Sequence, residues 1–334
     1  MKKTLLWTAG IVGLLAITYA VGPDVADATL DSTLPTITQD LAELEAEIIR
    51  SEAAIPGLKK DNEARIVWAD STQKKTPYSI VYIHGFGASQ AEGDPVHREL
   101  AKRYGANLYL ARLHDAGIDD PDAFDDLTPE NFLAGAKRAL AIGQAIGDSV
   151  IVIGTSAGGL LTVYLAATHP EIKGIVLYSP CMAIANPAMK LATRPWGQQI
   201  LDAAVGKRLV SDDTTERSNY WLKSYSVNGL MTLQQAIDAV ARPGVYEKVR
   251  MPAFVGYYYK NDEEQDQVVS VSAIKDMFPK LGTPDALKEE RAFPNSGDHV
   301  IASHFTSKDI AGVRKATEAF FEKILKMEPV AAGR

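Results

Sequence analysis

From residue 64 onward, short runs rich in apolar and β-branched residues alternate with longer stretches whose apolar positions recur every three or four residues. The short runs fall at 65–69, 78–84, 107–113, 149–155, 174–179, 253–259 and 289–294, and the helical stretches at 95–104, 129–145, 156–168, 271–280 and 306–327. A run such as Val150-Ile151-Val152-Ile153 is apolar at every position, as a strand buried on both faces must be. The alternation therefore predicts an α/β fold: a mostly parallel sheet with crossover helices on both faces. Ahead of it, 31–37 carries Pro35 and several Ser/Thr and reads as a short linker, after which Leu41, Leu44, Ile48 and Ile49 mark one face of a helix. One stretch breaks the rhythm. Residues 181–250 separate two predicted strands by roughly 70 positions, where a strand-to-helix connection needs far fewer. This insertion reads as helical, interrupted at Pro187, Pro195 and Pro243, with Trp196, Tyr220, Trp221 and Tyr225 among charged residues. It is either a cap over a functional site or a packed decoration whose aromatics are core.

At the N-terminus, Lys2 and Lys3 precede an apolar run, 5–22, broken only by Thr8 and Thr18. That pattern is a charged region followed by the hydrophobic segment of an export signal, and Ala26 and Ala28 supply the small residues for cleavage after Ala28. The same run approaches the ~20 residues that span a bilayer, so an uncut membrane anchor is the other reading. Either way the chain is expected to be exported: secreted, periplasmic, or held at a membrane through residues 5–22.

Composition narrows the function classes. With 334 residues, 46% hydrophobic and 23% charged, the chain is a folded globular protein of one domain with an insertion, or of two. The net charge is −7 and no Lys/Arg-rich block appears, which argues against a nucleic-acid partner. A single cysteine, Cys181, excludes an internal disulfide and a multi-cysteine metal site, and reads as a small buried hydrophobe. The acidic stretch 119–126 lacks the central glycine and terminal glutamate of a calcium loop, so no metal is expected. The organisation predicted is a leader or anchor at 1–28, a linker and helix at 29–63, a core at 64–180 and 251–327, and a helical cap at 181–250.

The chemistry concentrates at Gly154-Thr155-Ser156-Ala157-Gly158. A G-x-S-x-G string alone is weak, but this one follows an apolar strand and precedes the helical run Leu160-Leu161-Thr162-Val163-Tyr164-Leu165. Strand, sharp turn and helix make a nucleophile elbow, in which glycines are needed because strand and helix crowd the serine. A phosphate-binding βα turn is the competing reading. A serine hydroxyl needs a base, and of six histidines His299, in the loop after the last predicted strand, is the best placed; His304, His97 and His169 read as helix residues. The base needs a carboxylate to orient it, from the loop after 253–259, where Asp266 stands before Val268-Val269 and Asp262 lies nearer the strand. Both stay open, with Asp266 favoured. Upstream, His84-Gly85-Phe86-Gly87 ends a strand in a turn that presents the Phe86 amide, with that of Ala157, to an oxyanion; His84 reads as a support for the turn.

His84-Gly85-Phe86-Gly87, Gly154-Thr155-Ser156-Ala157-Gly158, Asp266 and His299, in that order, resemble an α/β-hydrolase over roughly residues 64–327, and the insertion resembles the cap of the lysophospholipase and monoacylglycerol-lipase-like branch. The resemblance implies an eight-stranded, mostly parallel sheet and carboxylic-ester hydrolysis of small-molecule or lipid-like acyl substrates without a cofactor. Two departures stand out: an acid loop about four residues longer than usual, and His114-Asp115-Ala116-Gly117 where the branch shows a G-H-G-like turn. Serine chemistry of this kind also serves thioesterases, peptidases and acyltransferases, and the fold also hosts non-catalytic binding proteins.

Overall fold

The computed structural model describes residues 13, 17–19, 21–23 and 25–330, so most of the expected leader lies outside the described residues. Helix α1 (Leu41–Ala53) precedes β1 (Arg65–Val67), β2 (Thr76–Ile83), α2 (Val96–Tyr104) and β3 (Asn107–Leu110). There follow α3 (Pro129–Ile146), β4 (Gly147–Thr155), α4 (Ala157–Thr168) and β5 (Gly174–Tyr178). Residues 181–250 hold α5 (Gly197–Val205), β6 (Arg208–Val210), β7 (Ser224–Ser226), α6 (Asn228–Val240) and α7 (Pro243–Tyr246). The chain then adds β8 (Ala253–Tyr257), α8 (Val271–Met277), β9 (Lys288–Ala292) and α9 (Ile310–Lys323).

The main sheet has seven strands in the order β1-β3-β2-β4-β5-β8-β9, with β1 antiparallel and the rest parallel. That is one strand fewer than the resemblance implies. Ahead of β1 the described chain forms no strand, because Leu30, Leu34 and Ile37 pack on the core from the helical side instead of extending the sheet edge. Hydrogen bonds fasten this segment to α4, from the Tyr164 hydroxyl to the Leu30 carbonyl (2.5 Å) and between His169 Nε2 and the Ser32 carbonyl (2.9 Å).

The all-apolar central strands are explained by two separate cores. Val81, Ile83, Val150, Val152, Ile175 and Leu177 face α3 and α4, while Ile80, Tyr82, Ile151, Ile153, Val176 and Tyr178 face α2 and α9. Side chains alternate across a strand, so each strand supplies both cores. Burying one such Leu, Ile or Val contributes about 1.5–3 kcal/mol, which makes β4 and β5 a stiff platform. Helix starts are locally encoded: Thr128 and Asn131 form a capping box at α3 with Pro129 first in the helix, and Asp309 caps α9.

The insertion is not wholly helical. β6 and β7 pair antiparallel as a separate ribbon, too short at three residues each to leave an alternation signal. Arg208 ties the ribbon to the body through Asp122 (2.5 Å) and Asp125 (3.1 Å).

Candidate active site

Strand β4 delivers Ser156 into a turn with φ 54° and ψ −119°, a left-handed-side conformation that a side-chain-bearing residue adopts only when its surroundings impose it. The surroundings are the glycines. A Cβ on Gly158 would run into the backbone oxygens of Ile83 and His84, and one on Gly154 into Thr162 Oγ1. Helix α4 begins at Ala157, so its first N–H groups and positive dipole end face the serine.

The end of β5 holds the rest in place. The Ser156 amide donates to the Tyr178 carbonyl (2.9 Å), the Cys181 amide donates to the Ser156 carbonyl (2.9 Å), and Ser179 Oγ donates to the carbonyl of His299 (2.7 Å). One strand end thus anchors both the elbow and the loop that carries the histidine. His299 Nδ1 lies 2.6 Å from Asp266 Oδ2. A carboxylate accepts, so Nδ1 carries the proton and Nε2 is left as an acceptor. Asp266 Oδ1 in turn accepts the amides of Val268 (2.8 Å) and Val269 (3.0 Å). Burial alone would lower the His299 pKa, but the Asp266 charge and hydrogen bond, with Glu92 and Asp298 behind them, outweigh it and raise it. Among the described residues Ser156 Oγ makes no hydrogen bond to His299; bonds of this kind often tighten only around substrate. Both side chains are nearly covered, Ser156 at 7% and His299 at 9% exposure.

Asp262 sits apart, exposed, accepting the Tyr259 hydroxyl (3.0 Å). The extra length of the acid loop is taken up as a turn closed on itself, with the Lys260 amide on the Glu264 carbonyl (2.9 Å), after which the Asp266 amide returns to the Tyr258 carbonyl (3.2 Å). The loop is longer without displacing Asp266 from the histidine.

On the other side, His84 is fully buried; Nδ1 reaches the Gly85 carbonyl (2.8 Å) and Nε2 accepts the Leu113 amide (3.1 Å). Burial drops its pKa to about 4, so the ring is neutral, and these partners fix its proton on Nδ1. By gripping the Gly85 carbonyl it also sets the planar peptide whose opposite edge is the Phe86 N–H, which has no hydrogen-bond acceptor among the described residues. The insertion reaches this turn directly, through the Leu222 amide to the Gly87 carbonyl (2.8 Å). The Phe86 ring packs against Phe124, Phe132 and, from β7, Tyr225, with ring centroids 4.7, 6.3 and 5.5 Å away.

Sequence reasoning missed Glu92. It is 2% exposed, its Oε2 accepts the Gly85 amide, and burial pushes its carboxyl up to about 7 against the pull of that amide and of the His299 and Arg217 charges. An acid five residues past an H-G-x-G turn, between Ala91 and Gly93, was the one sign it left. His114, Asp115 and Asp126 also converge, the imidazole 3.0 Å from Asp126 and 3.6 Å from Asp115. Asp115 meanwhile accepts the Phe124 amide (2.9 Å), and the group stitches the 114–126 loop together. Cys181 is buried, and burial pushes its thiol up to about 12, which leaves it protonated and unreactive.

Comparison with known proteins bears on the family and the fold. The profile of the alpha/beta hydrolase family matches residues 80–316. A thermostable monoacylglycerol lipase of Bacillus sp. (strain H-257) is 29% identical over 142 residues, 42% of this chain and 55% of its own, so the chain spans about half the length of that relative. Among solved structures, the metagenome-derived lipolytic enzymes LipS and LipT are represented by a chain with TM-score 0.63 and 20% identity, covering 80% of this chain and 99% of that one. The monoacylglycerol lipase of Paleococcus ferrophilus superposes with TM-score 0.55 at 16% identity, over 78% of this chain and 98% of its own. A soluble variant of the Saccharomyces cerevisiae monoglyceride lipase, solved with a substrate analog, gives TM-score 0.55 at 14% identity, over 80% and 92%. At such identities the solved structures speak for the fold.

Proposed function

Because the chain belongs to the α/β-hydrolase family, we propose that it hydrolyses carboxylic esters through an acyl-enzyme formed on Ser156. Ser156 Oγ attacks the ester carbonyl carbon while His299 Nε2 takes its proton. The oxyanion is met by the amides of Phe86 and Ala157. The tetrahedral species collapses, the alcohol leaves with the proton from His299, and water activated by the same nitrogen releases the acid. Asp266 holds the imidazole in the Nδ1–H form and balances its charge when it becomes imidazolium. The observation that carries this reading is the junction at the end of β5, where the serine turn and the His299–Asp266 pair are fastened to consecutive residues, Tyr178 and Ser179.

The substrate class in this reading is a small ester or lipid-like acyl group. The aromatic side chains around Phe86, joined by Tyr225 of the insertion, support an apolar acyl side, and the insertion acts as its cover. Residues 1–28 export the chain or hold it at a membrane in this account, on the strength of Lys2, Lys3 and the apolar run. Among the described residues no helix is long and apolar enough to cross a membrane. The test is labelling of the full chain with a fluorophosphonate, followed by peptide mapping. Label on Ser156, lost in His299→Ala, supports the mechanism; label elsewhere, or none, contradicts it.

A further inference from the structure

Glu92 lies on the 3-10 turn Gln90–Gly93, all four residues of which are buried. The turn is pinned from two sides, by Ser303 Oγ donating to the Ala91 carbonyl (2.8 Å) and by His97 Nε2 on the Gln90 carbonyl (2.8 Å). From that fixed base the carboxyl reaches the Gly85 amide. The fit there is close: a Cβ on Gly85 would come within 2.6 Å of Glu92 Oε1 and 3.0 Å of the Ser156 Cβ. Carboxyl, oxyanion turn and nucleophile therefore share one packed point. His84 holds the carbonyl of Gly85 and Glu92 holds its amide, so consecutive peptides of the turn are gripped by two buried side chains. A buried carboxyl is costly to keep, and a purely structural acceptor could have been neutral.

We propose that Glu92 is a positioning residue of the catalytic site: it fixes the turn that carries the Phe86 amide and acts as a second carboxyl, beside Asp266, in the field of His299. The inference rests on the serine-hydrolase reading above. The groups that face Glu92 are the Gly85 amide, the Tyr82 hydroxyl of β2, the His299 imidazole of the loop after β9, and the Arg217 guanidinium of the insertion. Tyr82 gives its proton to Thr155 Oγ1 (3.0 Å), and Arg217 stacks on the Trp221 ring at 4.8 Å with its Nε unpartnered. His299 gains a favourable charge from Glu92, so ionised Glu92 makes the imidazolium easier to form. It also opposes the oxyanion that forms on the far side of the same turn. Glutamine keeps the acceptor for Gly85 and removes the charge; leucine removes both.

The experiment is a set of pH–rate profiles on a soluble ester for the full chain, Glu92→Gln and Glu92→Leu, with fluorophosphonate labelling of each. The leucine variant is expected to lose at least tenfold in kcat with KM changed less than threefold, and the glutamine variant to recover most of that loss. The acid limb of kcat/KM in Glu92→Gln is expected to move to lower pH, since His299 loses a carboxyl that favours its protonation. If Glu92→Leu does not fold, the acid limb of Glu92→Gln decides alone. A labelled wild type with an unmoved limb in the glutamine variant, or a folded leucine variant within twofold of wild-type kcat, overturns the role of Glu92 only. Failure of the wild type to label overturns the hydrolase reading and this inference with it.

Discussion

The loop after β8 and the loop after β2 each bring a buried carboxyl group into the field of His299, and they treat it in opposite ways. Asp266 is surrounded by three donors, the Val268 and Val269 amides and His299 Nδ1. Glu92 receives one amide, that of Gly85, with the Tyr82 hydroxyl beside it as a weaker second donor shared with Thr155. A carboxylate in a low-dielectric interior keeps its charge only when donors replace the water it lost. Every donor around Asp266 belongs to its own loop or to His299, so its carboxyl is held in one orientation against the ring. Glu92, pushed up to about 7 by burial, is built to share a proton with its surroundings near neutral pH. The comparison teaches that a buried acid's role is read from the number of donors around it and not from its distance to the chemistry alone.

Asp266→Asn attacks the better-supported side and carries the larger effect. An amide nitrogen facing Nδ1 stabilises the wrong tautomer, and kcat/KM on a soluble ester should fall by about 10⁴, the order seen when such an acid is neutralised. Asp262→Asn is the control within the same loop and should stay within about twofold of wild type; a larger loss there than in Asp266→Asn would exchange their roles. Gly158→Ala strikes the platform that both loops serve. Its Cβ meets the Ile83 and His84 carbonyl oxygens, so a loss of roughly 3 kcal/mol in urea unfolding is expected, with the elbow displaced.

The smaller effect sharpens the contrast from the side of Glu92. Its carboxyl titrates near 7 in the folded chain against 4.5 ordinarily, so the folded state binds the proton more tightly. The stability this provides is complete below about pH 4.5 and is lost as pH rises through 7, on the order of 3 kcal/mol in all. Glu92→Gln should therefore gain on the wild type between pH 4.5 and 8 by that amount. Parallel urea melts at the two pH values measure it, and equal differences at both would show that Glu92 does not titrate in this window.

The core side of the molecule was legible because each central strand is buried on both faces, so Val150-Ile151-Val152-Ile153 could be nothing but a strand, and the glycines around Ser156 then marked the turn. All seven strands of the sheet fall where the pattern put them. The choice between Asp266 and Asp262 was only partly legible, since it depends on the fold-back of 260–264, although an acid two and three residues ahead of the amides of Val268 and Val269 is a local signature for a turn that caps its own carboxylate. Glu92 and the β6–β7 ribbon were not legible. Glu92 is buried by the meeting of β2, the His299 loop and the insertion, which no local spacing encodes, and the ribbon is held by Arg208 reaching Asp122 and Asp125, more than 80 positions away.

Hydrolysis of p-nitrophenyl esters from C2 to C16 by the full chain, beside Ser156→Ala, tests the central claim most directly. The account predicts turnover by the wild type, a chain-length optimum that reports the acyl side, and a loss of at least about 10⁴-fold in the alanine variant. Wild-type rates retained by a purified, folded Ser156→Ala chain would contradict it.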